Sequence, residues 1–178
     1  MIQAINLKIA YMKNPIGIDE KNPVLTWKCR DAIKQSAYEI EYNVQSFGAE
    51  CRETKIIRAN TDIMEFQFED NFKSRDIVSC RIRLTNENGI QGEWSEYATF
   101  EMGLLEKSDW KATFIMGDYD HEKNPKMRYP VDYFRKKFTL SGKVKHARLY
   151  MTACGLYETY LNGEKVGDQV FAPGATAF

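Results

Sequence analysis

Histidine is nearly missing from this chain, with only His121 and His146 among 178 residues. Neither sits beside a plausible partner in sequence, so no catalytic or metal-binding imidazole is expected. The four cysteines, Cys29, Cys51, Cys80 and Cys154, are scattered. They form no CxxC pair and no Cys/His spacing that suits zinc. We read them as buried thiols of a reducing compartment rather than a disulfide framework. A charge excess is also absent, since 25 Lys and Arg balance 25 Asp and Glu. Nucleic acid is therefore excluded as a partner, because phosphate binding needs a local surplus of cations to displace counterions. The basic clusters at Arg135-Lys136-Lys137 and 143–148 are broken by apolar residues at strand spacing, and read as the wet side of strands. No apolar run is long enough to cross a bilayer. The opening MIQAINLKIAYMKNP lacks the apolar core and cleavage site of a signal peptide, so a cytoplasmic protein with no membrane partner is expected. No Gly-rich phosphate loop appears, and no spacing assembles Ser, His and Asp. No window carries a helical stripe, and no cofactor is expected.

What the chain does have is alternation. In Tyr38-Glu39-Ile40-Glu41-Tyr42-Asn43-Val44, apolar and polar side chains take turns. Cys80-Arg81-Ile82-Arg83-Leu84 repeats the pattern, and Met64, Phe66 and Phe68 alternate with Glu65, Gln67 and Glu69. A period of two marks half-buried strands, because successive side chains point to opposite faces. Turn residues separate the runs, at Asn14-Pro15, Asn22-Pro23, Asn86-Glu87-Asn88-Gly89 and Asn162-Gly163. The first hundred residues predict one seven-strand sandwich of fibronectin type III or immunoglobulin type. Val24-Leu25-Thr26-Trp27 gives it an early core ring, and Tyr97-Ala98-Thr99-Phe100 its last strand. Val78 and Cys80 stand where such domains usually show Tyr or Trp, which weakens a tyrosine-corner contact without threatening the fold.

Alternation stops at Gly103, and Trp110 begins a new aromatic anchor. The predicted organisation is all-β: a sandwich over residues 1–105, then a partial, jelly-roll-like sandwich over 106–178. Further strands are predicted at 112–116, 133–140, 147–153 and 157–161, with a polar surface loop at 117–130. Asn162-Gly163 calls for a tight hairpin, because both positions tolerate positive φ. About seventy residues are too few for a two-sheet sandwich, which wants about a hundred. The second region is expected to be cut short, with open edges that invite pairing with another chain, a second copy included.

Several motifs agree on a family. Asn14-Pro15-Ile16-Gly17-Ile18-Asp19, Pro23-Val24-Leu25-Thr26-Trp27 and Gln35-Ser36-Ala37-Tyr38 lie near the start. Phe100-Glu101-Met102-Gly103-Leu104-Leu105 and Asp109-Trp110-Lys111-Ala112 form the joint. Ala153-Cys154-Gly155-Leu156-Tyr157-Glu158, Leu161-Asn162-Gly163, Val166-Gly167-Asp168 and Ala172-Pro173-Gly174 follow in order. Together they resemble the N-terminal region of bacterial α-L-rhamnosidases of glycoside hydrolase family 78. Ala175 stands where the family usually has an aromatic residue, and Phe114-Ile115 replaces its Trp-Ile. The resemblance implies a larger inverting enzyme that releases terminal α-L-rhamnose. Inversion needs one carboxylic acid to protonate the leaving oxygen and a second carboxylate to activate water. In the family both lie on an α/α-barrel catalytic domain, the implied partner of this chain. No catalytic residue is therefore assigned here, and the chain alone is expected to be inactive.

Within the chain, Asp118-Tyr119-Asp120 reads as a solvated loop cluster rather than a calcium site. Glu158 and Asp168 read as surface and turn residues. The candidate carbohydrate-binding residues are Tyr157, Asn162 and Asp168, with rhamnose-containing glycans as the ligand. Against this, Tyr157 can pack in the core and Asn162 can simply make the turn. Tyr157 and Tyr160 fall on opposite strand faces, so only one can be exposed. Trp27, Trp94 and Trp110 read as core or interface anchors. Two other functions are compatible with the pattern: a free-standing carbohydrate-binding module, or a fibronectin-like protein-interaction module suggested by Gly92-Glu93-Trp94-Ser95.

Overall fold

The computed structural model describes residues 1–49, 54–118 and 131–173. The chain divides into two compact units, Met1–Lys111 and Ala112–Phe178. Eight strands build the first: β1 (Gln3–Ile9), β2 (Ile16–Ile18), β3 (Val24–Arg30), β4 (Gln35–Gln45), β5 (Lys55–Ala59), β6 (Glu65–Gln67), β7 (Ile77–Asn86) and β8 (Ala98–Met102). They form a three-stranded sheet ordered β1-β3-β6 and a five-stranded sheet ordered β2-β8-β7-β4-β5. The only helical element among the described residues is a single 3-10 turn, Lys107–Asp109.

The alternation of β4 and β7 becomes a buried face. Ile40, Tyr42 and Val44 pack with Val78, Cys80, Ile82 and Leu84, opposite Leu25 and Trp27 of the other sheet. Trp27 meets the Tyr38 ring edge-on across the two sheets, with centroids 5.1 Å apart. Phe68 has no exposure and touches four rings, Tyr42, Phe66, Phe72 and Phe100, at centroid distances of 5.1, 5.0, 6.1 and 5.3 Å. Burial pushes the Cys80 thiol up to about 12, so it stays protonated and inert. Cys154 departs from the expected burial: it is exposed, because it lies in a bend before Tyr157 rather than in a strand. Cys51 lies outside the described residues.

The eighth strand is β2, where the alternation predicts seven. Three residues are too few for a period to show. After Asn14-Pro15 the chain changes sheets, and β2 runs parallel to β8. The Asn14 side chain accepts a hydrogen bond from the Thr99 amide at 3.0 Å. The Glu101 amide donates to the Pro15 carbonyl at 3.0 Å, and the Gly103 amide to the Ile18 carbonyl at 2.7 Å. Gly17 lies between them with φ +81°, a conformation that glycine adopts without steric cost.

Gly92 is fixed by a different constraint. Its amide donates to the Leu84 carbonyl at 2.8 Å, and a Cβ built there would sit 2.0 Å from the Ile2 carbonyl oxygen. Backbone must move to admit it. Gly92→Ala is expected to cost about 1–3 kcal/mol, as overpacking does, read as a lowered midpoint in thermal denaturation.

In the second unit, β9 (Tyr160–Leu161) and β10 (Glu164–Lys165) form the hairpin called for by Asn162-Gly163. Both turn residues have positive φ, +54° and +91°, as a type I′ turn requires. The strands predicted at 112–116, 133–140 and 147–153 are not assigned as strands. Alternation sets which way side chains point, whereas a strand also needs a ladder of backbone partners. Among the described residues these segments have none, and Phe114, Phe134, Phe138 and Leu140 are exposed.

Candidate functional site

The first unit is open where its two outermost strands face each other. β5 ends the five-stranded sheet and β6 ends the three-stranded one. Between them lies a cleft of about 590 Å³. Its position follows from a chain of hydrogen bonds that starts in the core. Trp27 Nε1 donates to Gln35 Oε1 at 2.8 Å. The buried Gln35 amide then donates to the carbonyls of Thr61 and Ile63, at 3.0 and 3.1 Å. This holds the segment that leads into β6, and with it one wall of the cleft.

At one end of the cleft the groups are already engaged. The Tyr42 hydroxyl donates to Asp70 Oδ2 at 2.6 Å, and Lys55 pairs with Asp70 Oδ1. Burial, then the Asp70 carboxylate, push the Tyr42 hydroxyl well above its ordinary range. The rest of the cleft is different. Ile57, Ile63 and Phe66 supply apolar wall, and the exposed carboxylates of Glu65 and Glu69 stand beside it. Tyr38 also lines it. This residue is only 8% exposed, yet its hydroxyl has no hydrogen-bond partner among the described residues. Burial raises its pKa, so it remains a donor at neutral pH.

The outward face of the five-stranded sheet carries the densest electrostatics. Because β4 and β7 pair in register, Glu39 lies opposite Arg83 and Glu41 opposite Arg81. Glu39 accepts from Arg58 at 2.7 Å and from Arg83 at 2.9 and 2.7 Å. Arg81 grips Glu41 with two bonds, at 2.8 and 3.0 Å, and the Tyr97 hydroxyl donates to Glu41 at 3.0 Å. Trp94 lies under both guanidiniums, 4.7 Å from Arg81 and 4.6 Å from Arg83. Burial would raise the Glu39 carboxyl, but Arg83 and Arg58 outweigh it and hold it low. Glu41 is held low by its bond to Arg81 against a smaller burial penalty. Trp94 is thus an outer-face anchor, Trp27 alone of the three tryptophans is buried, and Trp110 is 41% exposed.

The candidates in the second unit have their own tethers. Tyr157 is half-buried, its amide donates to the Ala172 carbonyl at 2.9 Å, and its hydroxyl donates to the Met151 carbonyl at 3.1 Å. Asn162 occupies the hairpin turn, and Asp168 sits in an exposed bend. Tyr160 is the exposed member of the tyrosine pair, and its hydroxyl donates to Glu158 at 2.8 Å. Lys165 pairs with Glu158 at 2.7 Å and, with Tyr160, holds its carboxyl low. Of the Asp118-Tyr119-Asp120 cluster, Tyr119 and Asp120 lie outside the described residues, as does His121. Among the described residues no group of three His, Cys, Asp or Glu is placed to hold a metal ion.

Residues 4–106 match the family described as "Rha78A-like, N-terminal immunoglobulin domain". The chain belongs to that family. Residues 142–178 match a second description, "Alpha-L-rhamnosidase N-terminal domain". An alpha-L-rhamnosidase of Formosa agariphila is 30% identical over 190 residues, covering 93% of this chain and 19% of that protein. Another, from Alteromonas sp. (strain LOR), is 32% identical with the same coverages. The solved alpha-L-rhamnosidase from Dictyoglumus thermophilum superposes with a TM-score of 0.76 at 29% identity, over 97% of this chain and 21% of that one. This rhamnosidase N-terminal region therefore spans about a fifth of the length of the relatives it matches. The cleft could not have been found from sequence, because its walls come from four segments that only the strand register brings together.

Proposed function

We propose that this chain is the accessory N-terminal region of an α-L-rhamnosidase, with the bond-breaking carboxylates on a separate α/α-barrel catalytic domain that it braces. One observation carries the reading: nearly the whole chain aligns with the first fifth or so of enzymes that bear that name. The electrostatics support it. A glycosidase needs a carboxylic acid that keeps its proton near neutrality. Glu39, Glu41, Asp62, Asp109 and Glu158 are instead all held below their ordinary range by cationic or hydrogen-bonding neighbours. A carboxylate pinned in this way is a poor proton donor. The full enzyme would release terminal α-L-rhamnose with inversion, and rhamnose-containing glycans would be its ligands.

The test is an assay on an aryl α-L-rhamnoside. The product of the complete open reading frame should hydrolyse it, and residues 1–178 alone should not. Turnover by the isolated chain, or none by the complete protein, would overturn the proposal.

A further inference from the structure

We infer that the cleft between β5 and β6 is a carbohydrate subsite, built for a single 6-deoxyhexose unit such as L-rhamnose. The inference rests on the reading above for the choice of sugar and goes beyond it by giving the first unit a ligand of its own.

Three features of the cleft point the same way. Its volume, about 590 Å³, falls within the range of about 300–1,000 Å³ usual for small-molecule sites. Its donors and acceptors are left over rather than used. The Tyr38 hydroxyl is a buried donor with no protein acceptor among the described residues. A buried polar group without a partner costs free energy unless something completes it. Facing solvent, Glu65 and Glu69 present carboxylate acceptors on the β6 side. A sugar carries both kinds of complement on one small ring, since each hydroxyl can accept from a tyrosine and donate to a carboxylate.

The apolar strip narrows the class. Ile57, Ile63 and Phe66 offer aliphatic and aromatic surface beside those polar groups. A hexose with a terminal hydroxymethyl group would bury a hydroxyl there. A 6-deoxy sugar puts a methyl group there instead, gaining apolar burial without a desolvation penalty. Anionic ligands are disfavoured, because Glu65, Glu69 and Asp70 outnumber the single cation, Lys55, which Asp70 already engages.

The Tyr38→Phe variant tests this, because it removes one oxygen and leaves the ring contact with Trp27 in place. The intact chain, labelled for amide NMR, would be titrated with methyl α-L-rhamnopyranoside and, in parallel, with methyl α-L-mannopyranoside, which differs only in bearing a hydroxyl on C6. The rhamnoside should shift amides of Tyr38, Ile57, Phe66 and their neighbours in a saturable way, and the mannoside should bind more weakly. Tyr38→Phe should bind the rhamnoside about five-fold more weakly, the equivalent of one ordinary hydrogen bond, with an unchanged melting temperature. Equal affinities for the two sugars, an unchanged affinity in Tyr38→Phe, no shifts into the millimolar range, or shifts confined to residues 112–173 would each overturn the inference. Its fate separates cleanly from that of the parent reading. If the complete protein hydrolyses an aryl rhamnoside while the cleft takes no sugar, this inference falls and the accessory role stands.

Discussion

Phe68→Ala should lower the unfolding free energy of the chain by about 3–5 kcal/mol, the range for losing a fully buried phenylalanine. The expectation comes from how the residue is held. It has no exposed surface, and its ring sits among Tyr42, Phe66, Phe72 and Phe100, all within 6.1 Å between centroids. These neighbours come from both sheets and from the segments between strands, so no single element can shift to close the hole. Loss of edge-to-face contacts adds to the loss of burial. A domain of this size has about 5–15 kcal/mol of stability in all, so the variant should sit near its limit. Urea denaturation followed by tryptophan fluorescence gives the measurement, and a midpoint within error of the parent would show that the cluster does not hold the sandwich together.

Glu39→Ala should cost about 2–3 kcal/mol and should also change how stability depends on pH. Glu39 is 5% exposed and accepts bonds from two arginines. Removing one member of a buried ion pair strands its partners and can cost more than this. Here the arginine side chains keep 69% and 30% of their exposure, so water recovers part of the loss. Both Glu39 and Glu41 bind protons less readily when folded than when unfolded. Their stabilisation is thus complete above the unfolded carboxylate value of about 4.3 and is lost as pH falls through their lower folded values. The parent should lose stability on acidification over that window, and the variant should lose less. Identical acid profiles for the two proteins would remove Glu39 from the account.

Much of this fold is legible in the residues themselves. Tyr38 to Val44 and Cys80 to Leu84 announce a two-faced sheet because their polar and apolar members never fall out of step, and both runs are buried on one side as predicted. Even the outer-face cluster leaves a trace, since glutamates alternate along one strand and arginines along another. What the residues alone do not give is the register that sets Glu39 against Arg83 and Glu41 against Arg81. Trp94 reads as an anchor from its size, but only the stacking beneath two guanidiniums shows that it anchors the outside of the sheet. Ile16–Ile18 is too short to carry a pattern. The second unit marks the opposite failure. Its alternation is plain, its hairpin turn forms, and yet the segments 133–140 and 147–153 lack ladder partners among the described residues.

The parallel pairing of β2 with β8 bears on mechanics. The two strands run side by side in the same direction, while the polypeptide enters one from its amino end and leaves the other at its carboxyl end. Tension transmitted along the backbone would therefore slide them past each other lengthwise. The amide–carbonyl links bridging Pro15 to Glu101 and Ile18 to Gly103 would then share the load together instead of tearing one after another. That makes this short seam the place where the immunoglobulin-like unit resists being pulled open.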